Sequence, residues 1–552
     1  MNYTKKIISL FFATAVFSTA CKKQLDVKNP NQPNPETIKT EFGITAYGKG
    51  GVYTNGFKLL KYGDGVNGEF FAGVWGFHEM LGDVIGMEAA NIYANQLAAP
   101  DKVTLDNGTA VLNPGTPNRS TLVLRANNQN AAAGQNPLYY EWAYMYALNN
   151  VCNVLLESVD DVTFSGDPAS SKNTIKAWAY WWKGYAYARI GSIYYAGLVV
   201  NTSLLSNPNP AGEYVAKEAI IAESNANFDK AIAILTAQAG DAAYQDILGK
   251  LIPDFFQVGK GGVLTPQMWV HNINTMKARN ILVNKTIASM SAADWTAIKT
   301  LTDAGIEKSD LVFTGRSNAN SDFLSSASGT VAAKATSASP GGNTYKISER
   351  LIQDYPAGDK RKLNNFVQGT TWTGNPDRGN SFNTRWALID GGTHIANVIV
   401  YSDKADGAQE TYIASTWEEN ELMKAEAILY SAGGTVSTAT GIIDGVRAAQ
   451  GAGLAAIGAV SLTQAKEELR KERRVGLVFR GLSFYDARRW KVIDPVSSGG
   501  GRTGAIVLSA AGVVNTNATI DYNYLDYWDV PDNELAYNPA AGTSVPVVNP
   551  RQ

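Results

Sequence analysis

Residues 461 to 476 read Ser461-Leu462-Thr463-Gln464-Ala465-Lys466-Glu467-Glu468-Leu469-Arg470-Lys471-Glu472-Arg473-Arg474-Val475-Gly476. Ser461 with Gln464 three residues on is the capping-box pattern, in which two side chains satisfy two of the free amides at a helix start. A helix therefore opens at Ser461 and runs through Glu467 and Leu469 to about Val475. Working back along the chain, apolar residues recur at helical spacing: Leu422, Ala425 and Leu429, then Ile442, Val446 and Ala449. The same spacing joins Trp269, Ile273, Met276 and Val283, and before them Ile221, Phe228, Ala231 and Leu235. It also joins Trp181, Tyr185, Ala188 and Tyr195, and Tyr140, Tyr144, Ala147, Val151 and Leu155. Each set is one buried face of a helix. The fold class is mainly α, built of helical hairpins over about 139 to 290 and 416 to 475. The starts near 139, 174, 219 and 268 have no fixed period, so the repeat lies in the pairing of helices and not in self-similarity.

Between these helices lie two long stretches rich in Gly, Asn, Ser and Thr, at about 61 to 138 and 305 to 415, and a third irregular stretch from about 494 onward. Long loops of this kind usually carry function. Trp178, Trp181, Trp182, Tyr185 and Tyr187 crowd one helix and read as packing between helices. Aromatics in the polar stretches are different, because a loop tryptophan has no periodic partner face. Phe70, Phe71, Trp75 and Phe77 meet that description in the first insertion, and Trp372, Phe382 and Trp386 in the second. Sugar rings pack flat on such side chains while polar neighbours bind the hydroxyls. The ligand site is expected to form jointly from the two insertions, with Trp75, Trp372 and Trp386 as its stacking surfaces. Phe71 and Tyr345 are secondary candidates, since either could equally fill a core under a long loop.

Lys5 and Lys6 precede an apolar run from Ile7 to Phe17, 11 residues that are too few to span a bilayer and are flanked as in a secretory leader. Small residues Ser18, Thr19 and Ala20 then lead to Cys21, a boundary similar to the bacterial lipobox. Residues 1 to 20 are expected to be a lipoprotein signal peptide, Cys21 the lipid-bearing residue, 21 to 36 a tether and 37 to 552 the body. Lys and Arg number 48 against 50 Asp and Glu, so nothing favours nucleic-acid phosphate. Three scattered histidines argue against a metal centre or a Ser/His/Asp triad. His78-Glu79 lacks the second histidine of a metalloprotease helix, because position 82 is Gly, and Gly259 to Gly262 lacks the ending of a phosphate loop. No catalytic residue, metal or cofactor is assigned. Paired carboxylates for glycoside hydrolysis stay open, because their separation is a three-dimensional quantity.

Three further stretches flank the capped helix: Phe479-Arg480-Gly481, then Phe484-Tyr485-Asp486-Ala487-Arg488-Arg489-Trp490, then Trp528-Asp529-Val530-Pro531-Asp532-Asn533-Glu534-Leu535 with Asn538-Pro539. With Glu472-Arg473-Arg474, Leu422-Met423-Lys424-Ala425-Glu426-Ala427 and Asp359-Lys360-Arg361, this order resembles the SusD-like (SusD/RagB) family of nutrient-binding outer-membrane lipoproteins, over essentially the whole chain. Arg480, Ser483 and Gly476 depart from that family's pattern. The resemblance implies a superhelix of about four tetratricopeptide-like helix pairs packed against an irregular, ligand-holding part. It also implies a non-catalytic role at the outer membrane, facing the cell surface: capture of an oligosaccharide, or of a peptide, for a partner SusC-like TonB-dependent transporter. A lipid-anchored glycoside hydrolase and a helical scaffold without a small ligand are the alternatives. The family's ligand residues have no fixed pattern, so none is carried over.

Overall fold

The structure is a computed structural model that describes residues 35 to 551, apart from 58–59, 63–65, 69, 89–98, 114–118, 208–211, 258, 319–323, 326–328, 337–343, 375–382 and 403–409. Cys21 and the leader lie outside the described residues, as do Phe323 and Phe382. Eight long helices form the frame: α1 (Pro137–Ser158), α2 (Pro168–Ile193), α3 (Lys217–Ala237), α4 (Pro266–Val283), α5 (Ala292–Asp303), α6 (Trp417–Tyr430), α7 (Val436–Ala449) and α8 (Leu462–Gly476). Each packs on the next in chain order, so the frame is a superhelix of four tetratricopeptide-like pairs. Among the described residues no helix is long and apolar enough to cross a membrane.

Local chemistry starts these helices where the sequence says they should. At α8 the expected capping box is present, with Ser461 Oγ accepting from the Gln464 amide at 3.3 Å and Gln464 Oε1 accepting from the Ser461 amide at 2.9 Å. At α2 Asp167 accepts from the Ser170 amide at 2.7 Å, and Pro168 occupies the first turn, where no amide is needed. Trp178, Trp181, Trp182, Tyr185 and Tyr187 are all buried. Trp181 meets Phe313 at 4.3 Å between ring centroids, and Trp178 meets Trp182 edge-on at 5.4 Å. Glycines let α3 close onto this helix: a Cβ on Gly184 would sit 2.5 Å from the Phe228 ring, and one on Gly191 would sit 2.9 Å from Ile221. Cys152 is buried in α1, and burial pushes its thiol up to about 12.

The three irregular stretches carry more order than their composition suggests. In the first, a π-helical turn Phe70–Val74 leads into the helix Trp75–Leu81, and a further helix spans Arg119–Asn127. In the second lie short helices Val331–Ala335, Glu349–Gln353 and Lys360–Asn365 and a hairpin of Phe366–Trp372 with Thr384–Leu388. In the third, Arg502–Leu508 pairs with Val514–Asp521, which pairs in turn with Lys102–Thr104 and through it with Ala110–Leu112. This four-stranded antiparallel sheet ties the C-terminal part to the first insertion, with Ile520 opposite Val103.

Buried ion pairs tie the frame to the second insertion and to the helix Ser483–Arg489 that follows α8, and apart from Asp354 they are made by the residues that resemble the family's pattern. Arg361 and Asp359 pair at 2.8 Å, and Arg361 also binds both oxygens of Glu472 on α8, at 2.5 and 3.0 Å. Arg489 binds Glu426 on α6 at 2.8 Å and Asp486 at 2.7 Å, and Asp486 holds Arg473 at 2.9 Å. Arg474, in the last turn of α8, reaches Asp354 at 2.6 Å and the Gly82 carbonyl at 2.6 Å. Charges this deep are tolerated only when paired, so these residues hold the architecture.

Candidate ligand-binding site

Trp75 opens the helix Trp75–Leu81, and its ring is walled on both sides. Phe71 meets it edge-on at 4.9 Å. Gly481 lies against it with φ +67°, and a Cβ there would come within 2.7 Å of the indole, so both conformation and space call for glycine. The ring is only 2 % exposed, and its Nε1 has no hydrogen-bond partner among the described residues. A buried donor left unpaired is costly, and Trp178, Trp182, Trp269 and Trp528 in the core share this state.

Trp75 lines a cavity of ≈ 180 Å³ together with Tyr401, Glu410, Tyr412, Phe479 and Arg480, among others. Four separate parts of the chain supply these walls: Trp75, residues 330–332, residues 399–401 with 410–412, and Gly476 with 478–480. Tyr412 ends the strand Glu410–Tyr412, which runs antiparallel to Thr314–Asn318 with Tyr412 opposite Thr314 and Glu410 opposite Arg316. Tyr401 is pinned by its hydroxyl, which donates to the Val475 carbonyl at 3.2 Å and accepts from Tyr355 at 3.3 Å. Phe479 sits in the left-handed region at φ +62°, a conformation that costs a bulky residue about 1 to 3 kcal/mol and persists only where its surroundings impose it.

Charges at the cavity are compensated. Arg480 lies over the Tyr412 ring at 4.7 Å, and its Nη1 donates to Thr416 Oγ1 at 2.6 Å and to Glu418 at 3.2 Å. Burial alone would push Glu418 up, but the Arg480 guanidinium outweighs it and holds the carboxyl below its usual range. Glu410 is raised by burial, with the Arg316 guanidinium 3.3 Å away drawing it partly back. Burial also raises the Tyr412 phenol, so the ring stays neutral. Both carboxylates are thus engaged by arginine, and they are held in opposite directions, Glu418 below and Glu410 above the usual carboxylate range. Among the described residues no group of three or more His, Cys, Asp or Glu could hold a metal ion.

The expected loop aromatics divide into two kinds. Phe70, Phe71, Trp75 and Phe77 are not loop residues: they lie in helical turns inside the main core, and Phe71 stacks on Phe57 at 5.2 Å with none of its surface exposed. Tyr345 is 3 % exposed and its hydroxyl donates to the Ala72 carbonyl at 2.5 Å. Phe71 and Tyr345 therefore hold the first insertion to the second and offer no free face to a ligand. Trp372 and Trp386 sit half-buried on the hairpin, Trp386 opposite Gln368 and Trp372 opposite Thr384. Neither lines the cavity that Trp75 lines. Each has a lysine over its ring, Lys346 at 5.2 Å and Lys362 at 4.7 Å. Cation–π contacts of this exposed kind are worth about 0.5 to 1 kcal/mol, little enough for a stacking ligand to displace. Tyr401, Tyr412, Phe479 and Arg480 complete the cavity. The first two satisfy the same criterion of aromatics in the polar insertion and were open to it, whereas Phe479 and Arg480 lie in a stretch that reads as structural.

No protein-family model and no curated protein matches the chain. Solved structures do. A SusD-like protein from Bacteroides fragilis NCTC 9343 is 15% identical, with 84% of this chain and 94% of that one covered, at a TM-score of 0.50. A protein crystallised with xylogluco-oligosaccharide is 14% identical over 87% of this chain and 98% of its own, at 0.50. A SusD-like carbohydrate binding protein from Bacteroides vulgatus ATCC 8482 is 14% identical over 86% and 98%, at 0.49. At such identities the likeness is one of fold.

Proposed function

We propose that this chain, which has the SusD-like fold, is a non-catalytic lipoprotein of the SusD-like family that captures an oligosaccharide at the outer membrane and passes it to a TonB-dependent transporter. One observation carries the reading: four segments far apart in sequence converge on a cavity walled by Trp75, Tyr401, Tyr412 and Phe479, with the Arg480 guanidinium at its edge. Aromatic faces take the C–H faces of a sugar, and the polar groups take its hydroxyls. That a protein of the same fold was crystallised with xylogluco-oligosaccharide supports this choice of ligand class. Trp75 contributes through its indole edge, while Trp372 and Trp386 are outer platforms once Lys346 and Lys362 swing aside.

Binding to a glycan array by the protein lacking residues 1 to 21, with product analysis on the glycans retained, tests the reading. Retention without cleavage is expected, and release of shorter sugars would replace it with a glycosidase. Tyr412→Ala is expected to cost about 1 to 3 kcal/mol of binding, the scale of one buried aromatic anchor, or roughly 5-fold to more than 100-fold in affinity. Melting curves run beside the titration separate a lost contact from a lost fold. Anchorage is tested independently: Cys21→Ser should move the protein from the membrane to the soluble fraction, and the lipidated form should bring a large β-barrel with it on affinity capture. Retention of Cys21→Ser in the membrane would put the anchor elsewhere.

A further inference from the structure

Tyr412 has a second face. Beyond it lies another cavity, of ≈ 190 Å³, lined by Tyr412 together with Trp417, Thr416, Glu418, Lys308 and Lys260, among others. The two cavities are coupled through one side chain: Arg480, a wall of the first, donates to Thr416 and Glu418 in the second while lying over the Tyr412 ring between them. Trp417, at the start of α6, is half-buried, with the exposed Lys308 ammonium 5.4 Å over its ring, a contact weak enough in water to yield to a ligand. Asp310, at the inner end of this cavity, is engaged by His271 at 2.9 Å. Each cavity alone falls below the roughly 300 to 1,000 Å³ of ordinary small-molecule sites, and the two together fall within it.

We infer that the two cavities are consecutive compartments of one cleft, and that the Trp417 compartment takes the further units of an oligosaccharide whose leading ring lies against Tyr401 and Phe479, with Tyr412 as the wall the two compartments share. The inference rests on the reading of the first cavity as a sugar site and adds to it a ligand longer than one compartment, selected by chain length. Its chemistry follows from the walls. An indole and a phenol face supply stacking, and Thr416 and the lysine ammonium groups supply contacts for hydroxyls. Glu418 and Asp310 are already held by Arg480 and His271, and the exposed Glu307 on the rim is set against the lysines Lys260 and Lys308 of the same lining.

The experiment is calorimetric titration of the protein without residues 1 to 21 against gluco-, xylogluco-, xylo- and malto-oligosaccharides, each as a series from two to six backbone units. Affinity for the series that binds should rise by about tenfold or more between two and four units and then level off, since linked units enter the second compartment at high effective concentration. Trp417→Ala should abolish that rise and leave the two-unit member unchanged, whereas Tyr412→Ala should weaken short and long members alike. Lys308→Ala, at an exposed position that bears no part of the core, should lower only the longer members, by several-fold. A rise with length that survives both Trp417→Ala and Lys308→Ala would overturn the second compartment and leave the first standing. Failure of every series to bind the unaltered protein would overturn the sugar reading itself, and the compartment with it.

Discussion

Arg361→Met is expected to remove about 3 to 5 kcal/mol of stability, the usual loss when one partner of a buried ion pair is deleted. Arg361, Asp359 and Glu472 are all fully buried, and the guanidinium serves both carboxylates at once while also donating to Gln450 at 2.8 Å. Methionine fills the volume but leaves Asp359 without its counter-charge. Glu472 keeps Arg447 at 2.9 Å, so the damage should centre on the junction between the helix Lys360–Asn365 and α8. Urea titration followed by circular dichroism reads the loss directly. The double variant Arg361→Met with Asp359→Asn should lose clearly less than the sum of the two single variants, because the arginine change alone strands the Asp359 carboxylate and the double variant does not. Strict additivity, or a loss below about 1 kcal/mol, would mean that water reaches the site and screens it.

Glu79→Gln should change how stability depends on pH, by an amount on the order of 3 kcal/mol. Glu79 is fully buried, and its Oε1 accepts from the amides of Gly481 at 2.7 Å and Leu482 at 3.3 Å. Burial raises its carboxyl from 4.5 to about 7, against the pull of those amides and of the more distant Arg474. An acid raised in the folded state holds its proton more tightly there than in the unfolded chain. Its contribution is therefore fully present below pH 4.5, declines as pH climbs to about 7, and is constant above. Glutamine keeps the acceptor and cannot ionise, so the variant should gain on the parent across that window. Neighbouring His78, lowered by burial, destabilises the fold as pH falls through its ordinary range, but it is common to both proteins and cancels in the difference. Denaturation at pH 4.5, 6 and 8 makes the comparison, and a difference that does not move with pH would show the carboxyl titrating as it does in the open chain. The position bears on binding as well, since the turn held by Glu79 is the one that delivers Phe479 and Arg480 to the cavity.

A division of labour follows. Residues that resemble the family's pattern, Arg361, Glu426, Glu472, Arg473, Asp486 and Arg489, form buried pairs that tie the frame to the second insertion and to the helix Ser483–Arg489, and are far too enclosed to meet a ligand. The cavity draws instead on Tyr401 and Tyr412 from the second insertion, and on Arg480, one of the positions that departs from that pattern. A frame locked by ion pairs leaves the loop-borne walls free to differ with the ligand.

What the amino-acid sequence determined by itself is the helical frame. Its stripes at 3.6-residue spacing and its end caps are local signals: Ser461 and Gln464 close the same capping box in the fold that they spell in the chain, and the crowded aromatics of α2 pack as their spacing demands. Tertiary structure alone decided the rest. Phe70 to Phe77 carry no amphipathic stripe because they are enclosed on every side, so a buried helical turn reads like an apolar patch in a loop. The strands of residues 502 to 521 find their partners some four hundred residues away, at Lys102–Thr104, and nothing local marks that pairing. Trp75, Tyr412 and Phe479 become one cavity only when four separate segments meet, and Trp372 and Trp386 stay outside it on their own hairpin. Periodicity records which face of an element is buried, but not what it is buried against, and a binding site is a property of that second kind.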